Sequence, residues 1–273
     1  MSSAADPNMN PQSVQLSVDS RGVARLTLDR PNVHNAFDDQ LIAELTHKLR
    51  HLDHDPAVRV VVLAAKGKSF SAGADLNWMQ RVARYSEAEN IRDAVALASL
   101  MRALDTMTKP TIARVQGPAF GGGVGLVACC DIAVASVRAT FSLSEVRLGL
   151  IPAVISPYVI AAIGSRNARR YFLSAERFGA SEALRIGLIH SAVEDSELDG
   201  ALEVIVDELR KGGPRAIAAA KDLIAHVVRR PIDQSLAEET ASRIAQIRVS
   251  AEAQEGVAAF LDKRPAAWTK SKP

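Results

Sequence analysis

The chain has 273 residues, 48% hydrophobic and 23% charged, enough to bury a substantial core as one large unit or one with an appendage. A net charge of +2 gives no bulk electrostatic attraction for nucleic acid, although a local basic patch could still serve an anionic ligand. The two cysteines, Cys129 and Cys130, are adjacent, which excludes a disulfide framework, and no apolar run reaches membrane-spanning length.

Residues 1–12 carry no basic residue and no apolar centre. They read as a flexible tail rather than a signal or transit peptide, and the cytoplasm is the expected location. Val14 to Leu28 alternates around Asp19-Ser20-Arg21-Gly22 and predicts a hairpin. Asp38 or Asp39 can cap a helix that aligns Leu41, Leu45, Leu49 and Leu52. His47, His51 and His54 on that helix lack the acidic or cysteine partners of a metal site and read as a solvated face. The β-branched run at 58–65 predicts a buried strand. A long helix is expected from Ser86 to Met107, stopped by Lys109-Pro110. A strand at 111–115, a glycine-led helix, a strand at 131–136 and an extended piece at 139–142 follow. This alternation predicts an α/β fold with a largely parallel sheet. Beyond residue 195 the pattern is helical only, with helices near 197–211, 214–228, 232–247 and 250–261.

Two segments carry chemistry. Gly121-Gly122-Gly123 leads into an apolar, helix-compatible run ending at Cys129-Cys130-Asp131. Glycine is a poor helix-interior residue, whereas bare amides at a helix start can approach a ligand oxygen. Phe70-Ser71-Ala72-Gly73-Ala74-Asp75-Leu76 follows the strand at 58–65 and is again built of small residues. One amide from each segment could converge on a carbonyl oxygen that becomes negative during reaction. Phosphate-loop, dinucleotide and serine-hydrolase motifs do not fit: Val62 stands where a phosphate loop needs glycine, Leu126 breaks the dinucleotide spacing, and no Gly-x-Ser-x-Gly occurs.

Taken together, these two segments, Asp29 to Ala36, Lys109 to Ala113, Phe141 to Pro152, Ala180 to Ala183 and Glu255 to Arg264 resemble the crotonase, or enoyl-CoA hydratase/isomerase, family over nearly the whole chain. The resemblance implies a spiral of ββα repeats at 13–196 and a helical oligomerisation region at 197–273, with a trimer or dimer of trimers. It implies a thioester enolate held by the amides of Ala74 and Gly122, with Ala72, Gly73, Asp75, Leu76, Gly121 and Gly125 around the substrate. Phe260 and Lys263 would border the CoA moiety. Coenzyme A belongs to the substrate, and no separate cofactor, metal, nucleic acid or membrane is implied.

Members that add water use two glutamates. The second corresponds to Glu145, but the first position holds Gly125. Losing a positioned acid–base group costs about 10²- to 10⁴-fold. Gly125 is expected to leave open space for a substrate branch or a bridging water. Asp75 is expected to cap a following short helix, and Arg147 to be a surface residue rather than a carboxylate partner. The residues at 71–79 and 153–158, together with Gly125, resemble bacterial hydratases of branched, carboxylated substrates such as methylglutaconyl-CoA and carboxygeranoyl-CoA. The expected activity is enoyl-CoA hydration. The alternatives are a Δ3,Δ2-enoyl-CoA isomerase using one glutamate, or a non-catalytic acyl-CoA- or RNA-binding homologue.

Overall fold

The computed structural model describes residues 13–228 and 230–269, so the expected tail at 1–12 lies outside the described residues. The chain opens with β1 (Val14–Val18) and β2 (Val23–Leu28), the expected hairpin, in antiparallel register with Val14 opposite Leu28. Asp19 builds the turn by accepting hydrogen bonds from the Arg21 and Val23 amides, and Gly22 takes a φ of 79°. Helix α1 (Asp39–His54) starts at Asp38, whose carboxylate accepts from the Leu41 amide, and it buries the four expected leucines. Next come β3 (Val60–Ala65), α2 (Leu76–Val82) and α3 (Glu87–Asp105). A Ser86–Glu89 capping box opens α3, which ends two residues short of Met107.

The middle of the chain is β4 (Thr111–Val115), β5 (Ala119–Phe120), α4 (Gly122–Cys129), β6 (Ile132–Ser136), β7 (Thr140–Ser142) and α5 (Ser156–Ser174). It continues with β8 (Phe178–Gly179), α6 (Ala180–Arg185) and β9 (Ser191–Val193). Helices α7 (Leu198–Lys211), α8 (Pro214–Val227), α9 (Gln234–Arg248) and α10 (Ala251–Leu261) complete it, close to the expected spans.

Among the described residues the main sheet has the order β1-β2-β3-β4-β6-β9, parallel from β2 onward, and β5-β7-β8 form a smaller sheet. Each successive unit sends a long strand through the main sheet, a short one through the smaller sheet, then a helix: β4-β5-α4, then β6-β7 leading to α5. Every residue of β3 is buried, as a central parallel strand requires. Side-chain alternation sends Val61, Leu63 and Ala113 toward α1, α3, α4 and α5, and Val60, Val62, Ile112 and Val134 toward α7. Helix α7, on the C-terminal side of residue 196, therefore covers the second face of the sheet. No helix of the described residues is long and apolar enough to cross a membrane.

Candidate active site

The loops that leave β3 and β4 meet at the start of α4. Ser71 and Ala119 form a parallel bridge, as do Phe37 and Ala74. The connection from β2 supplies the scaffold. Asn35 is fully buried and donates from Nδ2 to the carbonyls of Lys66 and Ser69, both at 2.9 Å. Its own carbonyl accepts from the Ser71 hydroxyl. Buried polar groups satisfied in this way fix one loop conformation.

Several amides around the two expected oxyanion positions are committed. Ala72 donates to His34, Asp75 to Phe37, Gly121 to Ser142 and Val124 to Gly121. The amides of Ala74 and Gly122, like those of the adjacent Gly73 and Gly123, donate to no carbonyl among the loop and cap hydrogen bonds of the described residues. Gly122 is the first residue of α4, where intrahelical acceptors do not exist and the helix dipole is positive. Close packing of the two loops explains their small residues. A Cβ on Gly123 would lie 2.5 Å from the Ser71 carbonyl, and one on Gly73 would lie 3.3 Å from the Phe120 carbonyl.

Glu145 begins a short 3-10 turn that runs to Leu148, and it lies against this junction. A Cβ on Gly121 would sit 3.1 Å from Glu145 Oε1 and 3.9 Å from the Gly73 Cα. Oε2 of Glu145 is buried and has no hydrogen-bond partner among the described residues. Burial pushes its carboxyl above the ordinary glutamate value, only partly offset by its own backbone amide. A carboxyl so placed can hold or release a proton next to amides able to stabilise developing negative charge.

The other expected site residues divide. Asp75 is buried, caps α2 by accepting from the Asn77 and Trp78 amides, and lies 3.5 Å from Arg30, so its carboxylate has the structural employment expected. Leu76 is the exposed first residue of α2, and Ala72 is partly buried in the loop. Arg147 is exposed. Phe260 is 83% exposed at the end of α10, and Lys263 is exposed just beyond it. Helix α10 packs on α8 and α9. The open space expected at Gly125 is absent: a Cβ there would collide with the Ile155 side chain and lie 3.2 Å from Met101 Cε. Ile155, from the residue before α5, fills the volume, so the glycine accommodates a neighbour rather than a water or a substrate branch. The sequence singles out neither Phe37 nor Met101, and it carries Asn35 and Ile155 only within the longer stretches 29–36 and 153–158, with no individual role; in the structure Asn35 takes a φ of 54°.

An apolar cleft of about 370 Å³ lies elsewhere, between α8 and α9, lined by residues such as Ala216, Leu223, Ile244 and Ile247. It has no carboxylate in its lining and offers nothing comparable to the Glu145 junction. Among the described residues no group of histidine, cysteine, aspartate and glutamate is arranged to hold a metal ion.

Residues 19–271 match the family model described as enoyl-CoA hydratase/isomerase. A crystal structure of an enoyl-CoA hydratase from Shewanella pealeana ATCC 700345 is 48% identical, with a TM-score of 0.92 over 94% of this chain and 96% of that one. A crotonyl-CoA hydratase of Syntrophomonas wolfei is 32% identical over 89% of this chain and 93% of its own length. A mevalonyl-coenzyme A hydratase of Aspergillus fumigatus is 32% identical over 100% of both chains.

Proposed function

The chain belongs to the enoyl-CoA hydratase/isomerase family, and from that premise we propose that it hydrates 2-enoyl-CoA thioesters with one carboxylate, Glu145. The observation that carries the reading is the buried, unpartnered Glu145 oxygen beside Gly121, next to the free amide of Gly122. The thioester oxygen would accept hydrogen bonds from Ala74 and Gly122. Ionised Glu145 would take a proton from water as the water oxygen bonds to C3. The C2–C3 π electrons would move onto the thioester as an enolate. Glu145 would then return the proton to C2, which completes the addition of one water. Each amide donor would supply about 3 kcal/mol of transition-state stabilisation.

A single carboxylate also suffices to move a proton from C2 to C4, which supports isomerisation as the second reading. The finer substrate reading is a branched or carboxylated acyl chain, supported by the resemblance of residues 71–79 and 153–158 and by the similarity to a mevalonyl-coenzyme A hydratase. For the assembly we propose a trimer or dimer of trimers built through the C-terminal helices, which would bring the exposed Phe260 and Lys263 to a neighbour's CoA. Light scattering that finds a monomer at micromolar concentration would contradict it.

The test of the activity is a panel of crotonyl-CoA, 3-methylglutaconyl-CoA and a 3-enoyl-CoA, followed by the conjugated enoyl-thioester absorbance. Loss with either 2-enoyl substrate supports hydration. Gain with the 3-enoyl substrate alone supports isomerisation. No change with any, despite binding, leaves a non-catalytic acyl-CoA protein.

A further inference from the structure

Phe37 reaches both of the expected oxyanion donors, by two different means. Toward Ala74 it uses its backbone. The Phe37 amide donates to the Gly73 carbonyl at 2.6 Å, and its carbonyl accepts from the Asp75 amide at 2.8 Å, which makes the parallel bridge between Phe37 and Ala74. In such a pairing the groups on either side of the bridged residue turn toward the partner, and the bridged residue's own amide turns away. The Ala74 N–H is therefore aimed off the flank that Phe37 occupies. Toward Gly122 it uses its ring. A Cβ on Gly122 would lie 3.0 Å from Phe37 Cε2 and 3.2 Å from Cδ2, so the ring stands where a side chain at 122 would be. Phe37 is 1% exposed and belongs to the main core, which holds the ring by close packing. The backbone on either side is anchored as well, by the Asn35 bonds to Lys66 and Ser69 and by the Asp38 cap of α1.

We propose that Phe37 is a positioning residue for the reaction, a spacer that sets the distance and angle between the Ala74 and Gly122 amides. This role rests on the reading of those two amides as the donors to the thioester oxygen. Donors on separate loops stabilise one oxygen only when both are aimed at the same point. The main-chain bonds that join the 70–75 loop to β5 lie earlier in both segments: Ser71 donates to Pro118, and Phe120 donates to Ser71. Past that point Gly73 and Gly121 meet without side chains, and a Cβ on Gly121 would lie 3.9 Å from the Gly73 Cα. Glycine backbone is the least restricted in conformation, so these contacts alone define the spacing poorly. A rigid aromatic ring wedged beside Gly122, on a residue whose backbone is paired with Ala74, supplies the missing constraint.

The experiment uses the full chain as wild type, Phe37→Leu and Phe37→Met, the last for the case in which the leucine variant does not fold. Three quantities are measured: kcat with crotonyl-CoA, calorimetric affinity for butyryl-CoA, and the infrared C=O stretch of bound butyryl-CoA isotope-labelled at the thioester carbonyl. Hydrogen bonds to the oxygen lower that stretch, so it reads the two donors without turnover. Binding to the wild type should lower it. The Phe37 variants should lose part of that shift and roughly 10- to 100-fold in kcat, the scale of a misplacement of about 1 Å. Their affinity should stay within about threefold of wild type, because uniform binding is untouched. Phe178→Leu is the control for a shortened buried ring, since Phe178 stacks on Phe141 and Tyr171. It should lower the melting temperature yet keep the wild-type shift and kcat. Gly122→Ala should also lose shift, and should regain part of it when Phe37→Leu makes room, which a general loss of stability would not produce. A full wild-type shift in folded Phe37 variants would overturn the spacer alone. A wild-type stretch unmoved by binding would remove the donors themselves, and the spacer with them.

Discussion

Gly122 and Gly125 lie three residues apart on the same helix, and their missing side chains serve opposite ends. At Gly122 the amide has no carbonyl partner and the backbone is partly open, so the absence of a side chain leaves a donor available. At Gly125 the residue is buried and its amide is spent on Gly121, and the absence of a side chain admits Ile155. The first turn of α4 is shaped by what must approach it, the second by what already packs on it. A glycine within a site motif is thus no measure of open space; the neighbour across the gap decides.

The strongest way to break this contrast is at the first turn. Gly122→Pro removes the N–H at a helix position where proline is tolerated. Gly122→Ala introduces a Cβ against Phe37, as proline does, but keeps the N–H. The proline variant should lose about 10²- to 10³-fold in kcat relative to the alanine variant. Equal activity in the two, with matched thermal melts, would remove the Gly122 amide from the reaction. The second turn gives the smaller effect. Gly125→Ala should cost about 1–3 kcal/mol in denaturant unfolding, the usual penalty for overpacking. The loss should shrink when Ile155→Ala is added, and an unrelieved loss would mean that Ile155 is not the colliding group.

The finest distinction is the titration of Glu145. Its raised pKa means that the reactive, ionised form disappears at a higher pH than for an ordinary glutamate. The acid limb of kcat/KM should therefore lie above the usual carboxylate range, with activity falling as pH drops through it. Between the ordinary and the raised value the folded state binds more protons than the unfolded state. This group therefore lowers stability as pH rises through that window. A pH series of unfolding curves for wild type and Glu145→Gln should show the wild type losing ground to the variant there. Parallel curves would contradict the buried carboxyl.

Much of this architecture is local and was legible. The hairpin, the Asp38 and Ser86 caps and the leucine face of α1 each follow from residues close in sequence. So do the Asp75 cap and the placement of Glu145, the latter through its motif. Helix α5 was not anticipated. Ser156-Pro157 is a reasonable helix start, but Gly164 adopts non-helical angles inside the span and interrupts the apolar periodicity. Residues 153–158 stood out only as a bulky stretch near the acyl chain, and the contact of Ile155 with Gly125 is tertiary, so with α5 unrecognised it had no signal. Residues such as Asn35 and Phe37 act by stitching loops distant in sequence, which periodicity cannot reveal.

The central claim is that one carboxylate performs the proton transfers. The direct measurement is the steady-state hydration of crotonyl-CoA by wild type and Glu145→Gln, with butyryl-CoA affinity measured on both. The amide keeps the shape of the side chain but cannot exchange protons at neutral pH. The account predicts a fall of about 10²- to 10⁴-fold in kcat with affinity little changed. A folded Glu145→Gln protein that keeps half of the wild-type rate would contradict it.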